Sequence, residues 1–443
     1  MNKHQADKDI FLNAERREKI IHYALIYLMI AMGDSFLYDR VLTQYCAGIA
    51  VLFLFLVIAN RKTQYIYPIS ILGLGALSML FVRAATGAMG PTELLNWIAM
   101  ICIVVVAVGF DVSRFLERLI RLSAVLAFVS VFIYFISLVV PGVWARIALF
   151  SFPLAFDDGY WVDTNVKISM GYYQAHGLLF YVDRGFEGDR NVGIFREPAV
   201  YQVLLNSIIF VLLYICPKPL EKKRSQLIVL FVVAVLTTKS ATGYLVTLIL
   251  FFVYTAGSIE KGRTASAIYP ILLGSGIILF LLFMLFGNGS WFAGTVFGRF
   301  FSGDEFSLDA SGSARMGAAD VALGLMIEHP FGCGYEAYSS ALNIDATGYV
   351  AACLFKVAAV YGIPFGIAAV VWVLYPIFVK SSLSTAAKIS FVLMYLLATY
   401  FENEVFYTTL IFIPVFLYLS SVQLKRGEGN AELSVIGRRV GTK

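Results

Sequence analysis

Six basic residues between positions 190 and 356 have side chains that could together form an anion-binding site. They are Arg190, Arg196, Lys239, Arg299, Arg315 and Lys356. An arginine guanidinium binds two oxygens of a phosphate or carboxylate in parallel, whereas a lysine ammonium acts as a compact positive charge. If these side chains meet in one cavity, they would bind a phosphorylated or otherwise anionic substrate. Each could instead pair with a nearby carboxylate, and the sequence leaves that alternative open.

Three positions offer a side chain that could take a proton from a substrate hydroxyl. Glu197 follows Arg196, whose charge would keep the carboxyl ionised. His329 is the second candidate, because histidine is the side chain suited to proton transfer at neutral pH, although a histidine before a proline in a turn is equally typical of a structural role. Glu402 and Glu404 form the third candidate, and they could also be the polar tip of a turn. We prefer Glu197 to His329 as the base.

These residues belong to a strongly apolar chain. Of its 443 residues, 59% are hydrophobic and 14% are charged, whereas a soluble domain has about 45–50% apolar and about 25% charged residues. That composition excludes an ordinary soluble enzyme, a disordered chain and a secreted disulfide scaffold. It predicts an all-α integral membrane protein, with residues 1–443 forming a single polytopic domain. We expect no nucleic-acid partner, because the formal net charge of +5 follows membrane topology.

Twelve apolar segments are long enough, or nearly so, to cross a hydrocarbon core that needs about 20 helical residues. They lie at 20–37, 43–59, 66–83, 94–110, 119–140, 198–216, 225–237, 241–257, 267–287, 349–379, 385–400 and 404–421. With the N-terminus in the cytoplasm, 23 of the 34 Lys and Arg residues fall on the cytoplasmic side, as the positive-inside rule requires. Both termini are then cytoplasmic, and two large loops, 141–197 and 288–348, are periplasmic.

The segments 225–237 and 241–257 form an unusual pair. The basic clusters on either side of the pair must both be cytoplasmic, yet 225–237 is too short to cross alone. The polar turn between them, residues 237–243 with Lys239, is therefore predicted to lie below the outer surface. Irregular backbone at that depth is tolerated only where it faces protein or water. We therefore predict a cavity that opens to the outer face.

Two motifs resemble those of a known family. The segment 198–216 opens with Gly193-Ile194-Phe195-Arg196-Glu197-Pro198, and this Gly-x-Phe-x-Glu-Pro pattern is similar to the one that begins a mid-chain span in bacterial O-antigen and capsule polymerases of the Wzy type. In the second large loop, Arg315 is followed by a helix-like stretch and then by His329-Pro330-Phe331-Gly332-Cys333-Gly334. That arrangement resembles the O-antigen polymerase/ligase superfamily. The resemblance covers roughly residues 190–420.

The resemblance implies a GT-C-like helical bundle in the bacterial inner membrane, with a periplasmic cavity. It implies an enzyme that polymerises oligosaccharide repeat units carried on undecaprenyl pyrophosphate, with a chain-length regulator and a flippase as further candidate partners. By the same resemblance, Arg196, Arg299 and Arg315 bind pyrophosphate or sugar. We place Arg315 with Glu197 and His329 as the catalytic set.

The remaining candidates for substrate binding are the cations and carboxylates expected on the same outer face: Arg190, Lys239, Glu402 and Glu404. The outer loops lack a convincing carboxylate cluster, because the adjacent pair Asp157-Asp158 is more typical of a solvated loop. We therefore expect no metal and no cofactor.

Three other functions remain open at this point. The ligase branch of the superfamily has a His-Asn pair about eleven residues before a glycine that corresponds here to Gly362, and Ala351 and Ala352 occupy those positions. The missing histidine favours a polymerase over a ligase. A flippase or other transporter would show repeated halves with broken helices in both, and the first 140 residues contain no counterpart of the later loops. A non-enzymatic member of an export complex would have little use for outer-face arginines.

Overall fold

The computed structural model describes residues 3–33, 35, 63–86, 92–140, 173–184, 190–260, 310–342, 353–401 and 406–425. Within these ranges the chain forms thirteen α-helices: α1 Lys3–Ala31, α2 Ile66–Thr86, α3 Thr92–Phe110, α4 Val112–Val139, α5 Pro198–Tyr214, α6 Arg224–Thr238, α7 Ala241–Glu260, α8 Ala310–Glu328, α9 Tyr335–Ala341, α10 Cys353–Tyr361, α11 Ile363–Tyr375, α12 Thr385–Phe401 and α13 Thr408–Lys425. The strands β1 Tyr173–Gly177 and β2 Phe180–Arg184 pair antiparallel as a hairpin in the first large loop.

Among the described residues, five helices are long and apolar enough to cross a membrane: Ile66–Thr86, Val112–Val139, Ala241–Ser258, Ile363–Lys380 and Thr408–Lys425. A sixth span results if Pro198–Tyr214 and Lys218–Thr238, which meet at 108°, count as one broken span. The expectation of a helical membrane protein is confirmed at this level. The count of twelve stays a prediction, and the segments predicted at 43–59 and 267–287 lie outside the described residues.

Helix α4 shows the two-sided apolar character of a membrane helix. Phe128, Phe132 and Phe135 are each more than half exposed, and their spacing of three or four residues places them on one face. Leu126 and Ile133 are buried on the opposite side. A helix that is apolar on its exposed as well as its buried face is suited to lipid rather than water.

Helix α5 is the central helix of the described bundle. Every residue from Pro198 to Leu213 is buried, and α5 packs against α6, α7, α12 and α13. Pro198 occupies the first helical position, where its missing N–H leaves no bond unmade. Between helices in lipid, close packing and hydrogen bonds stabilise the assembly more than the hydrophobic effect does, so the buried polar groups on α5 are of particular interest.

A polar network joins α1, α3 and α4 at the end that the charge pattern places in the cytoplasm. The His22 ring bonds the Ala107 carbonyl oxygen through Nε2, at 2.9 Å, and contacts the Arg118 guanidinium through Nδ1. Because arginine only donates, His22 Nδ1 accepts and Nε2 donates. Arg118 also lies 3.2 Å from the carboxylate of Asp111, which caps the start of α4 by accepting from the Arg114 N–H.

The prediction of one continuous span at 349–379 is wrong. The segment divides at Gly362, whose φ of +95° is in the region that favours glycine, into α10 and α11. The 18 residues from Ile363 to Lys380 form a candidate span by themselves. Lys356, predicted inside the span, therefore lies in the separate helix α10. A hydropathy pattern misses the division because the residues on both sides of Gly362 are apolar.

Candidate functional site

The segment that joins the hairpin to α5 is buried from Asn191 to Phe195. The Asn191 side chain fixes it in place. Its amide nitrogen donates to the hydroxyls of Thr237, at 2.9 Å, and Ser130, at 3.3 Å. Its oxygen accepts from the Gly193 N–H at 3.0 Å, and its backbone N–H donates to the Thr237 carbonyl at 2.9 Å. One asparagine thus ties this segment to α4 and to the end of α6.

The first half of the Gly-x-Phe-x-Glu-Pro motif has a packing role. Gly193 has a φ of +62°, and a Cβ atom there would lie 2.9 Å from the ring of Tyr201. The ring of Phe195 stacks on Tyr201 with 5.7 Å between centroids, and the Tyr201 hydroxyl shares a 2.8 Å hydrogen bond with Ser130. The Phe195 backbone also bridges to Ser35. These contacts fix where the remaining two motif residues, arginine and glutamate, are presented.

Glu197 takes the position immediately before α5, as predicted. Its carbonyl oxygen accepts the helical bond from the Tyr201 N–H at 3.2 Å, but its carboxylate makes no capping hydrogen bond to the first turn. The residue is half-buried, whereas Arg196 is exposed. Helix capping therefore does not account for a glutamate at this position.

The turn between α6 and α7 is buried within the protein, whereas its depth below the outer surface of the membrane stays a prediction. Lys239 is only 7% exposed and has a φ of +51°, a left-handed conformation that costs a non-glycine residue about 1–3 kcal/mol. Its ammonium lies 5.9 Å from the centroid of the Tyr134 ring on α4. Backbone strain of this kind persists where the surrounding structure fixes it, and such positions cluster at functional sites.

The Arg190 side chain forms hydrogen bonds to the same turn. Its Nε donates to the Thr238 carbonyl at 3.2 Å, and its Nη2 donates to the Lys239 carbonyl at 3.4 Å. These carbonyls end α6, where the helix dipole favours a positive charge. The guanidinium of one predicted anion-binding residue thus bonds the backbone of another, 49 residues away in the chain. We call residues 237–243 together with the Arg190 guanidinium the cationic turn.

A buried amide pair lies beside the cationic turn and was missed by the sequence reasoning. Asn206 donates to the Gln202 side-chain oxygen at 3.0 Å and to the Gly243 carbonyl at 3.2 Å, and it accepts from the Thr247 hydroxyl at 2.7 Å. The Gln202 Nε2 atom is buried without a hydrogen-bond partner, which costs about 1–3 kcal/mol. The sequence signal for this pair was the presence of two amide side chains four residues apart in an otherwise apolar helix.

Gly243 permits the close approach between this amide pair and the turn. A Cβ atom at Gly243 would lie 2.9 Å from Gln202 Cβ, so a larger residue would push α7 away from α5. The Gly243 N–H donates to the Ser240 hydroxyl at 3.2 Å and so closes the start of α7. The turn is therefore packed on α5 as well as held by Arg190.

The second motif packs against the break in the chain at Gly362. The Cys333 N–H donates to the Ala359 carbonyl at 2.8 Å, and the Gly334 N–H donates to the Val360 carbonyl at 3.1 Å. In return, the Ile363 N–H donates to the Pro330 carbonyl at 2.9 Å. These bonds satisfy backbone groups that the break between two helices would leave unpaired. We call residues 329–334 packed against Gly362 the glycine clamp.

The glycine clamp depends on two glycines, and each of them contacts the segment that contains the other. Gly332 has a φ of +104°, and a Cβ atom there would lie 2.6 Å from the Val360 carbonyl oxygen. A Cβ atom at Gly362 would lie 2.8 Å from the carbonyl group of Phe331. The His329 side chain, by contrast, is exposed. The His-Pro-x-Gly-x-Gly pattern is thus explained by backbone packing.

Other candidates lie around the clamp. The Lys356 ammonium is 5.4 Å from the centroid of the Tyr335 ring. Cys333 is buried at 3% exposure, and burial raises the pKa of its thiol. Burial also raises the pKa of Tyr338 to about 12. Neither group is ionised at neutral pH.

The structure leaves several predicted site residues unplaced. Arg315 lies in α8, thirteen residues before the helix ends at Glu328, which is about 20 Å along the helix axis, and its side chain lies outside the described residues. Arg299, Glu402 and Glu404 also lie outside the described residues. Within the described ranges, the cationic turn brings together Arg190 and Lys239 but not the whole predicted set.

The geometry of the cationic turn suits an anionic group. Arg190 and Lys239 meet there beside the segment that ends at Arg196 and Glu197, and a buried amide donor lies on α5. Positive charges in a site that excludes much of the solvent interact more strongly with an anion than they would in water. Among the described residues, no group of three or more His, Cys, Asp or Glu side chains is placed to hold a metal ion. Comparisons of the chain with protein-family models, with curated proteins and with solved structures found no match.

Proposed function

We propose that the chain is a membrane glycosyltransferase that polymerises undecaprenyl-pyrophosphate-linked oligosaccharide repeat units into O-antigen or capsule polysaccharide. In this proposal it works at the periplasmic face of the bacterial inner membrane, with twelve spans and both termini in the cytoplasm. The observation that carries the proposal is the meeting of Arg190 and Lys239 at one buried turn. That turn lies beside the segment that ends at Arg196 and Glu197, where the family resemblance is found.

The reaction requires little beyond charge stabilisation and a base. A hydroxyl oxygen of the acceptor unit attacks the anomeric carbon of the donor glycan, the bond from that carbon to the pyrophosphate oxygen breaks, and undecaprenyl pyrophosphate leaves with the bonding electrons. Lys239, on the turn that Arg190 holds, would stabilise the charge that develops on the leaving pyrophosphate. Glu197 would accept the proton of the attacking hydroxyl, because it is half-buried at the start of α5, directly after the buried segment 191–195 that packs against the turn.

The glycine clamp gives no support to the transporter alternative. In transporters with broken helices, the unpaired ends of the half-helices contact the substrate or ion. At Gly362 the corresponding groups of Ala359, Val360 and Ile363 are bonded to residues 329–334 instead. Ala351 and Ala352 remain the argument against a ligase, because they replace the His-Asn pair of that branch.

The test is the set of lipid-linked glycans that accumulates in cells lacking the chain, and its restoration by the intact gene. A polymerase leaves single repeat units on the carrier lipid in the periplasmic leaflet. Full-length polymer on the carrier would identify a ligase, and retention of the units in the cytoplasmic leaflet would identify a flippase. Either of these two outcomes contradicts the proposal.

Reporter fusions test the proposed topology independently of the reaction. Fusions at Arg61, Lys222 and Lys425 should report the cytoplasm, and fusions at Lys167 and Asp309 should report the periplasm. An inverted result in either large loop would remove the cationic turn from the periplasmic side, since the turn and the loops are placed by the same pattern of basic residues.

A further inference from the structure

The β-hairpin contacts α1 with its two-residue turn. The Leu178 carbonyl oxygen accepts a hydrogen bond from the Tyr27 hydroxyl at 2.5 Å. Tyr27 follows Lys19 by eight residues, and no other Asp, Glu, Lys or Arg lies between Lys19 and the end of α1 at Ala31. At about 1.5 Å per residue, Tyr27 lies about 12 Å along the helix from Lys19 and about 6 Å from the helix end. The hairpin turn therefore lies beside the uncharged part of α1.

The hairpin carries its charged residues at the open end and leucines at the turn, with His176 paired to Tyr181 between them. The strand register pairs Tyr173 with Arg184 and Gln174 with Asp183 at the open end. At the other end, Gly177 pairs with Phe180 and the turn residues are Leu178 and Leu179. A strand of five residues is about 16 Å long, so the change in polarity takes place over roughly half the thickness of a bilayer core. This is the gradient expected of a hairpin that enters the membrane turn first.

The turn exposes its apolar side chains. Leu178 is 65% exposed and Leu179 is 40% exposed. Strand β2 packs against α4, whose own outer face carries the exposed rings of Phe128 and Phe132. Exposed leucines in water would be unfavourable, whereas beside membrane helices they match the surfaces that those helices present to lipid.

The hydrogen bond from Tyr27 is needed if the turn lies in lipid, whereas in water it would not be needed. A turn leaves a carbonyl oxygen without a partner in the hairpin ladder, and in hydrocarbon such a group must be satisfied by protein. The Tyr27 hydroxyl satisfies the Leu178 carbonyl. On the side facing the motif, the Tyr181 N–H donates to the Gly193 carbonyl at 2.7 Å, so this outward N–H group of β2 is also satisfied by protein.

We infer that the hairpin Tyr173–Arg184 is a re-entrant element of the membrane domain. Its turn contacts the hydrocarbon chains of bilayer lipids through Leu178 and Leu179, and Tyr27 makes this possible by capping the turn carbonyl. The inference concerns lipid contact and does not depend on the proposed function. It revises the expectation that the whole loop 141–197 is exposed to the periplasm, because one part of that loop lies in the bilayer.

Spin labels at two positions of the hairpin test the inference. The full chain, with its five cysteines replaced, carries a single new cysteine at either the turn (Leu179→Cys) or the open end (Asp183→Cys). Each variant is labelled with a nitroxide and reconstituted into vesicles of phosphatidylethanolamine and phosphatidylglycerol. The collision rates of the label with dissolved oxygen, which concentrates in hydrocarbon, and with a water-soluble nickel chelate are then measured. A label at Leu178→Cys repeats the turn measurement should the first variant fail to fold.

The ratio of oxygen to nickel collisions should be several-fold higher at the turn than at the open end. Equal ratios at the two positions, or nickel collisions that predominate at the turn, would place the turn in water and overturn the inference. Adding Tyr27→Phe to the turn variant should raise its nickel collisions, because the uncapped carbonyl favours water. Unchanged collisions in that variant would overturn the role given to Tyr27.

Discussion

Gly193 and Gly332 both adopt positive φ angles, of 62° and 104°, and both belong to motifs that the sequence singles out. At Gly193 the close neighbour is the ring of Tyr201, and at Gly332 it is the carbonyl oxygen of Val360. The contact at Gly193 fixes a segment that places charged residues beside a buried turn. The second closes one backbone segment against another.

The two regions therefore differ in what happens to their ionisable side chains. In the cationic turn, Lys239 is buried and the Arg190 guanidinium bonds the turn's own carbonyls. In the glycine clamp, backbone groups satisfy each other and the His329 side chain remains exposed. A glycine pattern thus indicates close backbone packing, and only the placement of the neighbouring charges indicates a site.

The largest effect should follow from changing the motif glutamate. Glu197→Gln keeps the shape of the side chain and removes the base, so the initial rate of polymerisation should fall by about 10²–10⁴-fold. The rate is measured with the purified chain and lipid-linked repeat units. Glu328→Gln, at an exposed position that precedes the glycine clamp, is the matched control and should change the rate little. Near-normal turnover by Glu197→Gln would contradict the assignment of the base.

Removing the charge in the cationic turn should have the next largest effect. Lys239→Met keeps most of the side-chain length, and losing one donor to the leaving group should lower the rate by about 10²–10³-fold. Lys356→Met is the matched control, because Lys356 lies 5.4 Å from an aromatic ring beside the glycine clamp and is not part of the turn. Equal losses in the two variants would remove the distinction between the regions.

In the glycine clamp, a change should affect stability more than chemistry. Gly332→Ala puts a methyl group 2.6 Å from the Val360 carbonyl oxygen and should cost about 2–4 kcal/mol of the free energy of unfolding. The melting temperature of the purified chain in detergent measures the loss. Gly324→Ala in α8, where a Cβ atom meets nothing within 4 Å, is the control and should leave the melting temperature unchanged or higher. Equal melting temperatures for the two variants would show that the clamp contributes nothing.

The smallest effect is expected at the histidine of the second motif. His329→Gln should change neither the melting temperature nor the polymerisation rate appreciably, because the clamp uses the backbone of this segment and the imidazole is exposed. A loss of rate comparable to that of Glu197→Gln would bring His329 into the site and make it the better base.

The sequence predicted the parts of the fold that depend on local polarity. The buried turn at Lys239 followed from a span too short to cross and from the basic residues on both sides of it. The start of α5 at Pro198 followed from the preference of proline for a first helical turn. Both features are set by residues close together in the chain.

Features that depend on distant partners were missed. The break at Gly362 requires Phe331 and Gly332 to pack against it, and a hydropathy pattern contains no information on that contact. The approach of Gln202 to Gly243 joins two helices that are separated along the chain. The bonds from Arg190 to the carbonyls of the turn were not predicted either, because only three-dimensional packing decides such long-range contacts.

The central claim is that Arg190 holds the turn that presents Lys239 to an anionic substrate. A double-mutant cycle with Arg190→Ala, Lys239→Met and the two combined tests it most directly, with the polymerisation rate at low substrate concentration as the readout. Because Arg190 bonds the Lys239 carbonyl itself, either change alone should disable the same unit, and the double variant should lose little more than the more impaired single variant. Losses that multiply in the double variant would mean that the two cations act separately, and that result would contradict the account.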